Sequence, residues 1–183
     1  NKIPSRYHSN FSFSIAETGF GSGLNFLATA DYWCSHADSH SHLRYYSIEG
    51  FPLSIDQLTS MVEKWPQLKG MAAILVETYP SALTSNETIT FTHSPRVELC
   101  LLTGDVDEMI ADVPDEIDAW YLDGFDPPKN PRMWSPSLLD LIAKKTRPGG
   151  TFSTYTAAGH VRRNLERAGF NVYKRKGYGR KRE

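Results

Sequence analysis

Three glycines at alternate positions in Glu17-Thr-Gly-Phe-Gly-Ser-Gly23 constrain this chain more than any other stretch. Ahead of them Phe11, Phe13 and Ile15 alternate with serines, the period of a strand with one apolar face. Behind them Leu24, Phe26, Leu27 and Ala30 recur at helical spacing. Glycine lets the backbone turn sharply from strand to helix and lets a ligand approach peptide N–H groups at the helix N-terminus. Such a turn is shared by dinucleotide folds and by folds that bind nucleoside cofactors.

Glu17, just before the first glycine, separates those two classes. A carboxylate there repels a pyrophosphate but suits a ligand with a cationic amino-acid end, such as S-adenosylmethionine. Glu49 stands 26 residues after Gly23, comparable to the acidic residue that grips a ribose in nucleotide folds. A carboxylate can accept a hydrogen bond from each of two vicinal hydroxyls. Asp105 and Asp123 also fall at or just past the ends of expected strands. With Glu17 and Glu49 they give four carboxylates on one rim, which favours a cationic ligand.

The remaining elements alternate. Residues 43–48 read as a second strand, and Ser54 with Gln57 forms a capping box for a helix running to about Trp65. Met71 to Thr78 reads as a short helix, and Thr88 to Thr92 and Val97 to Leu102 as paired strands across Ser94-Pro95. A short helix spans Asp105 to Ile110, and a buried strand runs from Asp118 to Leu122. Ser135-Pro136 opens a helix ending near Lys145. Pro148-Gly-Gly150 then turns the chain into a strand over Thr151–Thr154. A helix from Ala157 to Ala168 and a strand over Phe170–Tyr173 follow. The expected fold is α/β, a mostly parallel central sheet with helices on both faces, as one domain over residues 1–183.

Charge is divided along the chain. Residues 1–128 hold 6 Lys/Arg against 18 Asp/Glu, and residues 129–183 hold 14 against 3. The basic half, densest in Lys174-Arg-Lys-Gly-Tyr-Gly-Arg-Lys-Arg182, implies an anionic partner, with Tyr178 placed to stack on an unpaired base. No apolar run approaches the length of a membrane span and no secretory pattern opens the sequence. Two cysteines, Cys34 and Cys100, stand in no metal or redox spacing, which points to a cytoplasmic setting. Cys34, His36, His40 and His42 match no zinc template and read as a polar connection, so no metal is expected.

Residues 120–134, Trp-Tyr-Leu-Asp-Gly-Phe-Asp-Pro-Pro-Lys-Asn-Pro-Arg-Met-Trp, carry a family resemblance. So do Ala16 to Leu27, Ser47 to Leu53, Pro148 to Thr151, Ala158 to Arg163, Ala168 to Phe170 and Arg175 to Glu183. With these motifs the chain resembles, from about Phe11 to Glu183, the methyltransferase domain of the bifunctional tRNA 5-methylaminomethyl-2-thiouridine biosynthesis family. The resemblance implies the class I (Rossmann-like) methyltransferase fold and S-adenosylmethionine as cofactor. It implies methylation of the aminomethyl nitrogen on the wobble uridine of tRNA. The FAD-dependent oxidoreductase domain of the bifunctional members has no counterpart here, since no FAD fingerprint occurs in this sequence, and the resemblance leaves two alternatives, a stand-alone methyltransferase or a fragment of a polypeptide that carries that domain. Asp126 departs from the family, standing before Pro127 where alanine is expected, and adds a carboxylate on the substrate side. The segment before Phe11 is short, and the family continues past the position of Glu183 into a final strand.

Site residues follow from both readings. Glu17, Gly19, Gly21, Gly23, Asn25, Glu49 and Asp105 are expected to bind the cofactor, and Asp123 to orient the amine and take its proton. Phe125, Trp134 and Tyr155 are candidate aromatic walls for the uracil ring. Lys129, Asn130, Arg162, Arg163, Arg175, Lys176, Arg180, Lys181 and Arg182 are candidates for contacting tRNA. A non-catalytic RNA-binding module explains the basic tail but not the acidic rim. A small-molecule amine N-methyltransferase explains the rim but not the basic half.

Overall fold

The computed structural model describes residues 12–85, 88–124 and 126–175. Six strands form one sheet: β1 (Ser12–Thr18), β2 (His42–Glu49), β3 (Thr88–His93), β4 (Arg96–Thr103), β5 (Ile117–Leu122) and β6 (Thr146–Thr154). The helices between them are α1 (Leu24–His36), α2 (Ile55–Val62), α3 (Lys69–Ser85), α4 (Val106–Met109), α5 (Pro136–Lys145) and α6 (Gly159–Arg167). Short 3-10 turns occupy Pro66–Leu68 and Pro131–Trp134.

The strand order is β3-β4-β2-β1-β5-β6. All neighbours run parallel except β3, which is antiparallel to β4. The chain therefore moves outward from β1 through β2 to β4, then returns to the other side of β1 with β5. That reversal opens a crevice beyond the carboxyl ends of β1 and its neighbours, where α/β sheets bind ligands.

Side-chain alternation divides the core into two. Phe13, Ile15, Leu43, Tyr45, Val97, Leu99 and Leu101 face α1, α2 and α3, where Phe26, Leu27, Leu58 and Leu75 meet them. Ala16, Ile48, Cys100, Leu102, Trp120 and Leu122 face the other way, against Val106, Leu138, Leu139, Ile142, Val161 and Leu165. Both faces are covered, as a parallel sheet requires. Ser54 closes the expected capping box with Gln57 at the start of α2.

Four elements depart from expectation by more than two residues. The helix expected over Met71 to Thr78 is α3, 17 residues long and continuous through Pro80. An interior proline forfeits a backbone hydrogen bond at about 3 kcal/mol, but Tyr79 and Ala82 extend the buried stripe of Ala72 and Leu75 and hold the helix together. The helix expected to reach Trp65 ends at Val62. Strand β6 begins at Thr146 rather than Thr151, with a register shift opposite Ile117–Ala119 where Arg147 pairs with the buried Asp118 at 3.0 Å. Residues 170–175 form no strand, because Phe170 and Val172 pack onto the second core without a ladder partner among the described residues. Phe170 meets Phe152 edge to face, with ring centroids 5.0 Å apart.

Among the described residues no helix is long and apolar enough to cross a membrane. Cys34 is half-buried and Cys100 buried, and neither forms a disulfide. His36 stacks on Tyr32 and His42 pairs with Glu98 at 2.7 Å, so these two histidines face different partners.

Candidate active site

A cavity of ≈ 620 Å³ opens beyond the carboxyl ends of the strands, within the range of small-molecule and cofactor sites. Its wall is built from residues at or just past the carboxyl ends of five strands that are neighbours in the sheet. Gly19 and Gly21 follow β1, Glu49, Gly50 and Phe51 close β2, and Gly104 and Asp105 follow β4. Asp123, Gly124, Asp126, Asn130, Arg132 and Met133 come after β5, and Tyr155 comes after β6.

The glycine turn works differently from the expectation that its N–H groups receive the ligand. Gly19 N–H bonds the carbonyl of Ile48 at 2.8 Å, and Gly23 N–H bonds that of Phe20 at 2.9 Å. Gly21 N–H donates to Glu49 Oε2 at 2.8 Å. The turn thus spends these three donors on its own structure and presents backbone without side chains to the cavity. At Gly19 (φ +97°) a Cβ would lie 3.2 Å from Gly124 Cα, so only glycine lets β1 and β5 end this close together. At Gly21 (φ +54°) a Cβ would meet nothing within 4 Å, so the space before it is open to a ligand.

Glu49 braces the cavity floor. Its second oxygen, Oε1, accepts from Phe51 N–H at 2.8 Å. The carboxylate therefore ties the glycine turn to the end of β2 while keeping one lone pair on each oxygen for a ligand. Phe51 is 74% exposed at the cavity rim. Asp105 caps α4 through Oδ1, accepting from Asp107 N–H at 3.0 Å. Its Oδ2 lies 3.4 Å from Arg132, which also pairs with Asp107 at 2.8 Å. The lining holds four carboxylates, Glu49, Asp105, Asp123 and Asp126, against Arg132, whose charge is already shared by two aspartates. A cation is the favoured occupant.

Glu17, expected on the rim, lies beneath it. It is 1% exposed and does not line the cavity. Ser47 Oγ donates to its Oε2 at 2.9 Å and Asn25 Nδ2 to its Oε1 at 2.7 Å. The same Asn25 nitrogen donates to Asp123 Oδ2 at 2.9 Å. Tyr45 faces the carboxyl from β2 without closing a hydrogen bond of standard geometry. Burial pushes Glu17 up to about 8, against the downward pull of Asn25, Ser47 and Tyr45, and the Asp123 charge adds to the rise.

Asp123 lines the cavity and is held from behind by Asn25. Tyr155, 39% exposed, donates its hydroxyl to the Gly124 carbonyl at 2.9 Å and stands on the wall near both Asp123 and Asp126. Asn130 lines the cavity too, while Lys129 is exposed beside it. Trp134, expected as a substrate wall, is 2% exposed and packed in the second core, because the 3-10 turn points it inward; Met133 takes the wall position instead. Gly23 ends the turn as the N-cap of α1. Arg162 and Arg163 lie early in α6, close after the carboxyl end of β6, and Arg175 is exposed. Phe125, Lys176, Arg180, Lys181 and Arg182 lie outside the described residues. Sequence reasoning missed Phe51, Arg132 and Met133; the available signals were the Ser47–Leu53 stretch for Phe51 and the Asn130-Pro-Arg-Met-Trp134 run for the other two.

A glycine turn, an acidic residue closing β2 and an acid-walled cavity at the sheet's reversal point define a nucleoside-cofactor α/β protein. The sequence profile of an S-adenosyl-L-methionine-dependent methyltransferase family matches residues 66–183, and the chain belongs to that family. Curated relatives include the tRNA 5-methylaminomethyl-2-thiouridine biosynthesis bifunctional protein MnmC of Aeromonas hydrophila. It is 41% identical over 192 residues, covering 100% of this chain and 29% of the relative. The protein of the same name from Methylobacillus flagellatus is 42% identical over 172 residues, covering 94% of this chain and 26% of its own length. The chain thus spans less than a third of these relatives. A crystal structure of MNMC2 from Aquifex aeolicus superposes with a TM-score of 0.77 at 24% identity, covering 99% of this chain and 54% of that one, and shares the fold.

Proposed function

We propose that this methyltransferase acts on tRNA, converting the 5-aminomethyl group of a wobble (2-thio)uridine to 5-methylaminomethyl. The observation that carries the reading is an acid-walled cavity of cofactor size with Asp123 projecting into it, in a chain about 41% identical to proteins named for that modification. The residues fit S-adenosylmethionine. Open space before Gly21, two spare acceptors on Glu49 and a surplus of carboxylates suit a purine nucleoside that carries positive charge.

Bound there, S-adenosylmethionine supplies a sulfonium methyl, an electrophile that needs no further activation. Glu49 would take the ribose hydroxyls, and Asp105 and Phe51 would flank the base. Asp123 would accept an N–H of the incoming amine, aim the nitrogen lone pair at the methyl and take the proton released from the product. Orientation is the main contribution, worth up to ~7–11 kcal/mol in ideal cases. A carboxylate beside an amine also favours the unreactive ammonium, so Asp123 serves chiefly as an orienting acceptor. Tyr155 and Asn130 on the wall, with Lys129, Arg162, Arg163 and Arg175 outside it, would receive the nucleotide and its phosphates. The oxidoreductase activity of a bifunctional protein would lie in a separate FAD-dependent domain, and the setting would be cytoplasmic, where tRNA is modified.

The test is methyl transfer from labelled S-adenosylmethionine to tRNA that carries the aminomethyl nucleoside. Transfer that requires this tRNA supports the reading. Equal transfer to free alkylamines points to a small-molecule enzyme, and binding of tRNA without transfer points to a non-catalytic module.

A further inference from the structure

We propose that Glu17 is a positioning residue, holding Asp123 in place through Asn25, that keeps a proton while no cation occupies the cavity and releases it to solvent when the cationic cofactor enters. The proposal rests on the reading of the cavity as a site for S-adenosylmethionine.

The geometry leaves Glu17 without a positive partner. Its hydrogen bonds come from the Asn25 amide and the Ser47 hydroxyl, both neutral. The titratable groups that face it are Tyr45 on β2, Tyr121 on β5 and Asp123 at the end of β5, all neutral or anionic. A carboxyl 1% exposed and one amide away from a second carboxylate is stabilised as the acid, by loss of hydration and by like charge. Burial raises the group to about 8 accordingly.

Asn25 joins the two carboxyl groups. Its two N–H bonds point to Glu17 Oε1 and Asp123 Oδ2, so the amide nitrogen is saturated and its orientation fixed. In the acid form Glu17 carries hydrogen on Oε2, where the Ser47 hydroxyl can accept it. In the ionised form the hydroxyl turns and donates. No other atom needs to move, and Asn25 and Asp123 keep their places in both states.

A positive charge in the cavity reverses the balance. It attracts both carboxylates, lowers the cost of ionising Glu17 and drives the proton out to bulk buffer. Cofactor affinity then rises with pH, by up to tenfold per unit, and levels above about 8.

The experiment is calorimetric titration of this chain with S-adenosylmethionine near neutral pH, in buffers of different ionisation enthalpy, for the wild type and Glu17→Gln. The amide keeps the side chain's size and an acceptor for Asn25. The expected result is release of close to one proton in the wild type and none in the variant, whose affinity loses the rise with pH. Titration of the ligand's own amine is common to both proteins and cancels in the difference. Infrared difference spectra of the wild type supply a readout that survives a folding failure of the variant, because a buried carboxylic-acid carbonyl band should vanish on binding. Binding without proton release and without loss of that band overturns the proposal. No binding at any pH overturns the cofactor reading on which it stands.

Discussion

Replacing Glu49 by alanine removes the acceptor of two backbone N–H groups at once. Gly21 N–H and Phe51 N–H each donate to one of its oxygens at 2.8 Å, and the side chain is only 6% exposed. Hydrogen bonds to a charged acceptor are each worth ~1.5–3 kcal/mol. Both N–H groups sit at a cavity wall that water can reach, so the lower figure applies and the loss is about 3 kcal/mol. For a domain of this size each kcal/mol lowers Tm by ~2–4 °C, so a drop of roughly 6–12 °C is expected. Glu49→Gln should recover only part of it. The amide has one acceptor oxygen for two N–H donors and turns its own N–H toward the other. Cofactor affinity should fall in both variants, since a loosened turn and a missing ribose acceptor act together. Differential scanning calorimetry and isothermal titration read the two effects separately. A Tm within ~2 °C of wild type in Glu49→Ala would show that the brace between the glycine turn and β2 contributes little.

Three further outcomes follow from the same geometry. Asp123→Asn should lower turnover by at least tenfold with little change in cofactor Kd, because the amide keeps an acceptor for Asn25 but loses the charge that orients the amine; unchanged turnover would remove Asp123 from the chemistry. Gly124→Ala should weaken cofactor binding with a modest loss of stability, since the new Cβ falls inside contact distance of Met133 Cε and pushes that side chain off its wall position; adding Met133→Ala should restore binding if displacement is the cause. Glu17→Gln should stabilise the unliganded protein increasingly with pH. The native carboxyl sits at about 8 against an ordinary 4.5, so the folded state binds the extra proton. Wild-type stability is therefore fully expressed below about pH 4.5 and falls as pH rises toward about 8, by an amount on the order of 3–5 kcal/mol. Parallel Tm curves for the two proteins from pH 5 to pH 8 would contradict that assignment.

The sheet and the glycine turn were legible because their signals are local. Alternation in β1, the capping box at Ser54 and the Ser135-Pro136 start of α5 each depend on neighbours a few residues apart. The same local reading cut α3 short at Thr78, since Pro80 is a breaker unless tertiary burial of Tyr79 and Ala82 outweighs it. It also makes Phe170–Tyr173 a strand, because apolar alternation cannot say whether a ladder partner lies alongside, and none does among the described residues. Within the site, strand ends pointed to Glu49, Asp105 and Asp123, all of which line the cavity. Glu17 shares their sequence context but points beneath the turn, and that depends on Ser47 and Asn25, 30 and 8 residues away. Trp134 and Met133 exchange inward and outward places through the 3-10 turn Pro131–Trp134, a geometry with no period to read.

In the proposed function this chain places a methyl group on the aminomethyl nitrogen of a wobble uridine. Nucleoside mass spectrometry tests it most directly. The purified chain is incubated with S-adenosylmethionine and tRNA from cells that lack the activity, and the digested wobble nucleoside is weighed and fragmented. The expected result is conversion of the 5-aminomethyl to the 5-methylaminomethyl nucleoside, with the added methyl on the side-chain nitrogen, and loss of that conversion in Asp123→Asn. Methyl on a base or ribose atom, or an unchanged wobble nucleoside in the presence of bound cofactor, would contradict it.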